Sequence, residues 1–179
     1  MKIGIYGGSF NPIHFGHIGL VKWVAEHSDL DEVWLMVSPN NPLKTYADLQ
    51  GKYDLRTNFS LRLEAAQKAL TETTCTKTLR ASDFEDHLPR PSYTANTLRE
   101  LTKAYPEHEF SLIIGADNWA IIEKWKEYEF VLKNFRVFVY PRTGYPMEPR
   151  KNIPAGQVVF CQDAPIFDIS STQLRATHS

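Results

Sequence analysis

Short apolar runs alternate with amphipathic stretches along this chain. The runs are rich in β-branched and aromatic residues, as buried strands are, and the stretches repeat apolar positions every three or four residues, as helices do. Predicted strands lie at 3–6, 32–37, 110–114, 136–140 and 158–160, with a weaker one near 78–79. Predicted helices lie at 17–27, 59–70, 94–104 and, in pieces, over 119–132.

This alternation predicts an α/β fold. Strand–helix–strand units favour a Rossmann-like, doubly wound, mainly parallel sheet with helices on both faces. A length of 179 residues fits one such domain over 1–179. Because open sheets of this kind bind ligands beyond the carboxyl ends of their strands, we expect functional residues just after Tyr6, Val37, Ile114 and Tyr140.

The charge balance excludes attraction of polyanions by the surface as a whole. Twenty Lys and Arg residues oppose twenty-one Asp and Glu residues, which gives a net charge of −1, so we expect no nucleic acid or membrane partner. No apolar run approaches the ~20 residues of a membrane helix. Two cysteines are too few for a disulfide framework or a zinc ribbon. We therefore expect a cytoplasmic protein whose phosphate ligands, if any, bind at a local site.

A loop rich in glycine and histidine follows the first predicted strand. His14 and His17 lie three residues apart where a helix begins, and a helix N-terminus favours an anion. Each feature alone also fits a tight turn or a plain helix start, but together they predict a polyphosphate site that includes Gly8, Ser9 and Phe10. The spacing departs from G-x-G-x-x-G, which argues against a nicotinamide dehydrogenase.

A second polar cluster lies near the end of the chain. Ser170 and Ser171 offer hydroxyl groups at a predicted helix start, and a capping box explains these serines by themselves. Arg175 changes that interpretation, because a cation in the first turn of a helix is misplaced unless an anion binds there too. The cluster therefore predicts a site for pyrophosphate.

Together the two motifs resemble those of the adenylyltransferase superfamily with the (H/T)-x-G-H signature, which is His-Phe-Gly-His at 14–17 here. The string at 169–175 is similar to the I-S-S-T-x-x-R motif of the same superfamily. The chain most resembles the bacterial nicotinate-nucleotide adenylyltransferases, over Lys2 to Arg175. In that family a further helical segment follows the last motif, so the resemblance leads us to expect a short or truncated C-terminal segment here.

The resemblance also implies residues for a second substrate, nicotinate mononucleotide. Asn40 and Lys44 match the loop after the second strand, in which Leu43 replaces the family's usual histidine. Thr94 lies in a match to S-Y-T-x-x-T-L and would reach the pyridine carboxylate. A helix N-cap at Ser92 or Thr94 is the structural alternative, and both interpretations can hold.

Two further matches follow the central strand. Gly115 would let adenosine approach the backbone, and Asp117 would bond a ribose or support the site, although an aspartate after a strand is also an ordinary N-cap. Trp125 matches the tryptophan that stacks on the nicotinate ring. An isolated tryptophan more often lies in a core, which is where we expect Trp119.

The function implied by the resemblance is transfer of AMP from ATP to nicotinate mononucleotide. His14 and His17 would stabilise charge on the reacting phosphate, and Ser170, Ser171 and Arg175 would hold the leaving pyrophosphate. Mg²⁺ is implied, bound mainly through the ATP phosphates and water, because no clustered carboxylate motif appears. The expected partners are ATP and nicotinate mononucleotide, and a homo-oligomer stays open.

Two alternatives to this function stay open. A sister adenylyltransferase could act on nicotinamide mononucleotide or phosphopantetheine, although the surroundings of Thr94 and Trp125 favour a pyridine nucleotide. A regulatory module could bind a nucleotide without catalysis, but the presence of His14, His17 and Arg175 argues against it.

Overall fold

A six-stranded sheet forms the centre of the computed structural model, which describes residues 1–10, 13–39, 55–150, 153 and 156–167. Its strands are β1 (Lys2–Gly8), β2 (Glu32–Val37), β3 (Thr78–Ser82), β4 (Glu109–Gly115), β5 (Arg136–Tyr140) and β6 (Val158–Phe160). They lie in the order β3-β2-β1-β4-β5-β6, and all five pairings are parallel. The predicted doubly wound sheet is confirmed.

Helices connect these strands in the order that the sequence predicts. They are α1 (Phe15–Glu26), α2 (Leu55–Thr71), α3 (Thr94–Ala104), α4 (Ala116–Ala120) and α5 (Tyr128–Asn134), with short 3₁₀ helices at Phe84–His87 and Ile122–Lys124. The predicted helical stretch over 119–132 is thus divided. One reason is Glu127, whose left-handed φ of 54° immediately precedes α5.

Two hydrophobic cores cover the two faces of the sheet. Along β1, Tyr6 belongs to the core that includes α1 and α2, whereas Ile3 and Ile5 belong to the core that includes α3, α4 and α5. This division follows from the alternation of side chains along a strand. It confirms helices on both faces of the sheet.

The strand order reverses between β1 and β4. The chain builds outward from β1 through β2 to β3, and then crosses to β4 on the other side of β1 and continues outward through β5 to β6. At such a reversal the connections leave in opposite directions, which opens a crevice at the carboxyl ends of the two central strands. Gly8 and Gly115 are the last residues of those strands.

The predicted cap of α3 was wrong. Tyr93, and neither Ser92 nor Thr94, is the N-cap residue, with extended backbone angles and no capping bond from its side chain. Thr94 is already the first helical residue, because the N–H of Thr97 donates to the Tyr93 carbonyl at 3.0 Å. The hydroxyl of Ser92 is buried without a hydrogen-bond partner among the described residues.

The remaining predictions concern membranes and cysteines. None of the described helices is long and apolar enough to cross a bilayer. Cys75 and Cys161 are both free thiols, as expected. Burial raises the pKa of Cys161 to about 11, so this thiol is poorly ionised and chemically inert at neutral pH.

Candidate active site

Two histidines cap the N-terminus of α1, directly after the loop that leaves β1. His14 is the N-cap residue, and its Nδ1 accepts a hydrogen bond from the Gly16 N–H at 3.0 Å. His17 makes the reciprocal capping bond, in which its Nδ1 accepts a hydrogen bond from the His14 N–H at 3.2 Å. The two imidazole rings stack with their centroids 3.6 Å apart. Reciprocal capping therefore holds both side chains at the positive end of the helix dipole.

The same hydrogen bonds assign the tautomers of the two imidazoles. Since each Nδ1 accepts a backbone N–H, each neutral ring carries its hydrogen on Nε2. Burial, with help from the nearby Arg142 cation, lowers the pKa of His14. Burial, then His14 and then Arg142, lower the pKa of His17 to about 3. Both rings are thus uncharged N–H donors at neutral pH.

One of these donors has no hydrogen-bond partner among the described residues. His14 Nε2 is buried and makes no hydrogen bond within the described part of the chain. A buried polar atom that stays unsatisfied costs about 1–3 kcal/mol, so native structures rarely leave one without a reason. A ligand oxygen would supply the missing acceptor.

Phe10 closes the site on the side of β1. Its ring is 3% exposed and meets the His17 ring edge-on, with centroids 4.9 Å apart. The Phe10 backbone has a left-handed φ of 48°, a conformation that costs a non-glycine residue about 1–2 kcal/mol. Gly8 leaves room for this arrangement, because a Cβ there would lie 3.1 Å from the Phe10 ring.

The ends of β4 and β5 bring an aspartate and an arginine to the same place. Asp117 Oδ1 lies 3.7 Å from Arg142 Nε, and that oxygen is buried without a hydrogen bond among the described residues. Gly115 is required by this pair: a Cβ on it would lie 2.5 Å from Asp117 Oδ1 and 3.2 Å from Arg142 Nε. Gly115 also serves as the N-cap of α4, so Asp117 does not cap that helix.

Arg142 was not identified from the sequence. It follows β5 by two residues, which is a position where the strand-end rule directs attention. The surrounding stretch is rich in proline and glycine and looks like an ordinary loop. The signal that could have found it was a lone cation just beyond a strand of the predicted sheet.

The two histidines and Arg142 line one crevice at the switch point. The lining residues come from β1, α1, the end of β5 and the segment after β6, and they are Tyr6, His14, Gly16, His17, Leu20, Tyr140, Pro141, Arg142 and Phe167. Phe167 packs so closely on α1 that a Cβ on Gly19 would lie 2.3 Å from its ring. The crevice thus combines neutral and cationic donors with apolar walls.

Two of the residues predicted for nicotinate, Trp125 and Thr94, lie on the face of the sheet opposite α1 and α2. Trp125 packs against the core of α3, α4 and α5, and Thr94 begins α3. Their segments meet, because Lys126 Nζ lies 4.8 Å from the centre of the Tyr93 ring. Trp119 is 2% exposed and belongs to the core, as predicted.

Part of the predicted site falls outside the described residues. This applies to Asn40 and Lys44 after β2 and to Ser170, Ser171 and Arg175 near the end of the chain. Within the described residues, no group of three or more His, Cys, Asp or Glu side chains could hold a metal ion.

The chain resembles proteins of one kind over nearly its whole length. A family model described as cytidylyltransferase-like matches residues 5–177. A Bacteroides fragilis protein named "Probable nicotinate-nucleotide adenylyltransferase" is 46% identical over 174 residues, which cover 97% of this chain and 80% of that protein. A protein of the same name from Bacteroides thetaiotaomicron is 44% identical over 175 residues, or 98% of this chain and 80% of its own length.

Solved structures share the fold. Nicotinic acid mononucleotide adenylyltransferase from Plasmodium falciparum, complexed with NaAD, matches with a TM-score of 0.72 at 18% identity, over 98% of this chain and 82% of its own. The same enzyme complexed with APC matches with a TM-score of 0.66 at 18% identity, with the same coverage.

The depressed pKa of His17 predicts how stability responds to acid. An unfolded chain binds a proton at the imidazole below about pH 6.5, whereas the folded chain does so only near pH 3. Stability is therefore lost as pH falls through this window, with a slope of up to about 1.4 kcal/mol per pH unit from this group. Replacing His17 by Gln removes that contribution.

Urea unfolding of the wild type and the His17→Gln variant between pH 7 and pH 4 measures the difference. The wild type should lose stability more steeply than the variant, and the carboxylates common to both cancel from the comparison. Parallel pH profiles would show that His17 titrates alike in the folded and unfolded states.

Proposed function

We infer the function of this chain from a plain premise: it belongs to the cytidylyltransferase-like family and, within it, to the nicotinate-nucleotide adenylyltransferases. It is a nucleotidyltransferase that transfers AMP from ATP to nicotinate mononucleotide, giving nicotinate adenine dinucleotide and pyrophosphate in NAD biosynthesis. The observation that carries this conclusion is the pair of neutral histidine donors that cap α1 at the switch point of the sheet.

The reaction is an in-line displacement at phosphorus. An oxygen of the 5′-phosphate of nicotinate mononucleotide forms a bond to the α-phosphorus of ATP. The bond from that phosphorus to the oxygen bridging to the β-phosphate breaks, and pyrophosphate leaves with the electron pair. Because the attacking phosphate is already ionised near neutral pH, no protein base is needed, and catalysis consists of positioning and charge stabilisation.

The two imidazoles supply donors for the reacting phosphate. Their Nε2–H groups bond the α-phosphate and bridging oxygens, whose charge changes as the displacement proceeds. The Nε2 of His14, which is buried and makes no hydrogen bond to the described residues, supports this role. A neutral donor held by backbone hydrogen bonds needs no reorganisation when charge develops. The N-terminus of α1 adds its dipole in the same direction.

Arg142 and the other predicted site residues bind the phosphates and adenosine. Arg142 provides a permanent cation beside the histidines, and it is held by Asp117 at 3.7 Å. Gly115 lets the nucleotide approach the backbone, while Asp117 bonds the ribose or supports Arg142. The loop of Gly8, Ser9 and Phe10 holds phosphate, and the leaving pyrophosphate is taken by Ser170, Ser171 and Arg175.

Mg²⁺ fits this donor set as an ion carried by the substrate. It usually keeps water and phosphate oxygens as most of its ligands, and the described residues offer no cluster of three ligands for a protein-held ion. Asp117 Oδ1, beside Arg142 and without a hydrogen bond among the described residues, is a carboxylate oxygen that could contact such an ion. When bound, the ion would neutralise charge on the β- and γ-phosphates.

Nicotinate mononucleotide binds next to the ATP site. Trp125 stacks on the pyridine ring and Thr94 bonds its carboxylate, and the contact between the segments of these two residues supports a shared site. Asn40 and Lys44 contact the mononucleotide from the loop after β2. The cytoplasmic location stays a prediction.

Pyrophosphate release tests the reaction and the acceptor together. With ATP and Mg²⁺, we expect release with nicotinate mononucleotide and slower release with nicotinamide mononucleotide, because the pyridine site is built for a carboxylate. The product mass should equal that of nicotinate adenine dinucleotide. Preference for the amide or for phosphopantetheine would assign a sister activity, and no release with any acceptor would favour a regulatory module.

Removal of one histidine donor tests the role of the capped helix. The His17→Ala variant should fold and lose about 10²–10³-fold in kcat, as is typical when a donor to a developing charge is deleted. His27 at the other end of α1 gives the matched control: it stacks on Trp23 and is exposed, so His27→Ala should keep wild-type turnover. Near-normal kcat in His17→Ala would remove this residue from the mechanism.

A further inference from the structure

One buried arginine connects the loop that follows β1 to the loop that follows β2. Arg62 lies on α2 and is 9% exposed. Its Nη1 donates to the backbone carbonyls of Ser9 at 2.7 Å and Ser38 at 2.8 Å, and its Nη2 donates to the Pro39 carbonyl at 3.2 Å. A single guanidinium therefore ties the exit of β1 to the exit of β2.

The bond to Ser9 acts on the strained residue that follows it. The Ser9 carbonyl belongs to the same planar peptide unit as the Phe10 N–H, so anchoring that carbonyl fixes the plane on the amino side of Phe10. On the other side the Phe10 ring is buried, with Tyr6 5.7 Å and His17 4.9 Å away between centroids. Between the anchored peptide plane and the buried ring, the Phe10 backbone adopts its left-handed φ of 48°.

We propose that Arg62 is a positioning residue for the catalytic His17, because it holds the Ser9–Phe10 peptide in the strained form that presses the Phe10 ring against His17. The proposal rests on the proposed function for its consequence in catalysis. Arg62 touches neither imidazole in this scheme and acts through Phe10. Its place on α2 means that a helix far along the chain controls the geometry of the first loop.

The chemistry of the side chain explains why an arginine is suited to this position. A guanidinium offers N–H donors in a rigid planar fork and can serve carbonyls on two segments at once. A lysine ammonium in the same place is a compact charge on a flexible stem and cannot reproduce that fixed geometry. The ring of Phe59, one turn earlier on α2, lies 5.6 Å below the Arg62 guanidinium and supports it.

The test compares two Arg→Lys substitutions in the full chain. Arg62→Lys should lower kcat by about 10- to 100-fold, the size of effect expected when a donor is misplaced by about 1 Å. The matched control is Arg80→Lys, at an exposed arginine on β3 that pairs with Glu32 at 3.3 Å. This control should keep wild-type kcat. Equal kcat in the two variants would overturn the proposal.

A double-mutant cycle separates positioning from a general structural role. If Arg62 acts through His17, Arg62→Lys should change kcat by less than about twofold in the His17→Ala background, because the group that it positions is gone. Independent losses that multiply in the double variant would contradict the proposal. If Arg62→Lys does not fold, the cycle is measured with Phe10→Leu in its place. That variant should show the same coupling to His17.

A spectroscopic measurement tests the role of Arg62 separately from the proposed function. The ring current of Phe10 shifts the NMR resonances of the His17 imidazole, since the rings meet edge-on. Those resonances should move in Arg62→Lys and stay in place in Arg80→Lys, whether or not the chain releases pyrophosphate. A wild-type chain without activity would refute the proposed function, whereas unmoved His17 resonances in Arg62→Lys would refute the role of Arg62.

Discussion

The reciprocal hydrogen bonds between two histidines and the start of α1 fix the chemistry of this site. They use the Nδ1 atoms of His14 and His17 as acceptors for backbone N–H groups, which leaves the Nε2–H groups as donors. Burial keeps both rings uncharged at neutral pH. These two bonds therefore determine the tautomer and the direction of both imidazoles, and burial determines their charge.

Residues distant in sequence complete the site because the sheet brings the strand ends together. Gly115 and Asp117 arrive from β4 and Arg142 from β5, and the absence of a side chain on Gly115 permits their close approach. From the opposite flank, Arg62 holds the backbone that leaves β1 and β2. Arg142 thus places a cation beside the histidines in a chain whose net charge is −1.

The sequence predicted the parts of the structure that depend on local patterns. Apolar runs located the strands, and the spacing of His14 and His17 correctly placed both residues at a helix start. Arg142 and Arg62 escaped prediction because their roles arise only when distant segments meet. The sequence does contain a signal for Arg62, since it lies three residues after Phe59 on the apolar stripe of α2. A cation on a buried helix face must be paired or hydrogen-bonded. The prediction for the cap of α3 was wrong for a local reason. The backbone enters the helix at Tyr93, so the hydroxyls of the residues on either side are not at the N-cap position.

Nitrogen-15 NMR of the two imidazoles tests the central claim most directly. With ring-labelled histidine at neutral pH, our account predicts that His14 and His17 are neutral, with the hydrogen on Nε2 and none on Nδ1. The Nε2 resonances should shift when ATP and Mg²⁺ are added, as those N–H groups bond phosphate oxygens, and the tautomer should stay unchanged. Imidazolium rings, or hydrogens on Nδ1, would contradict the account, because the helix cap would then not be what prepares these donors.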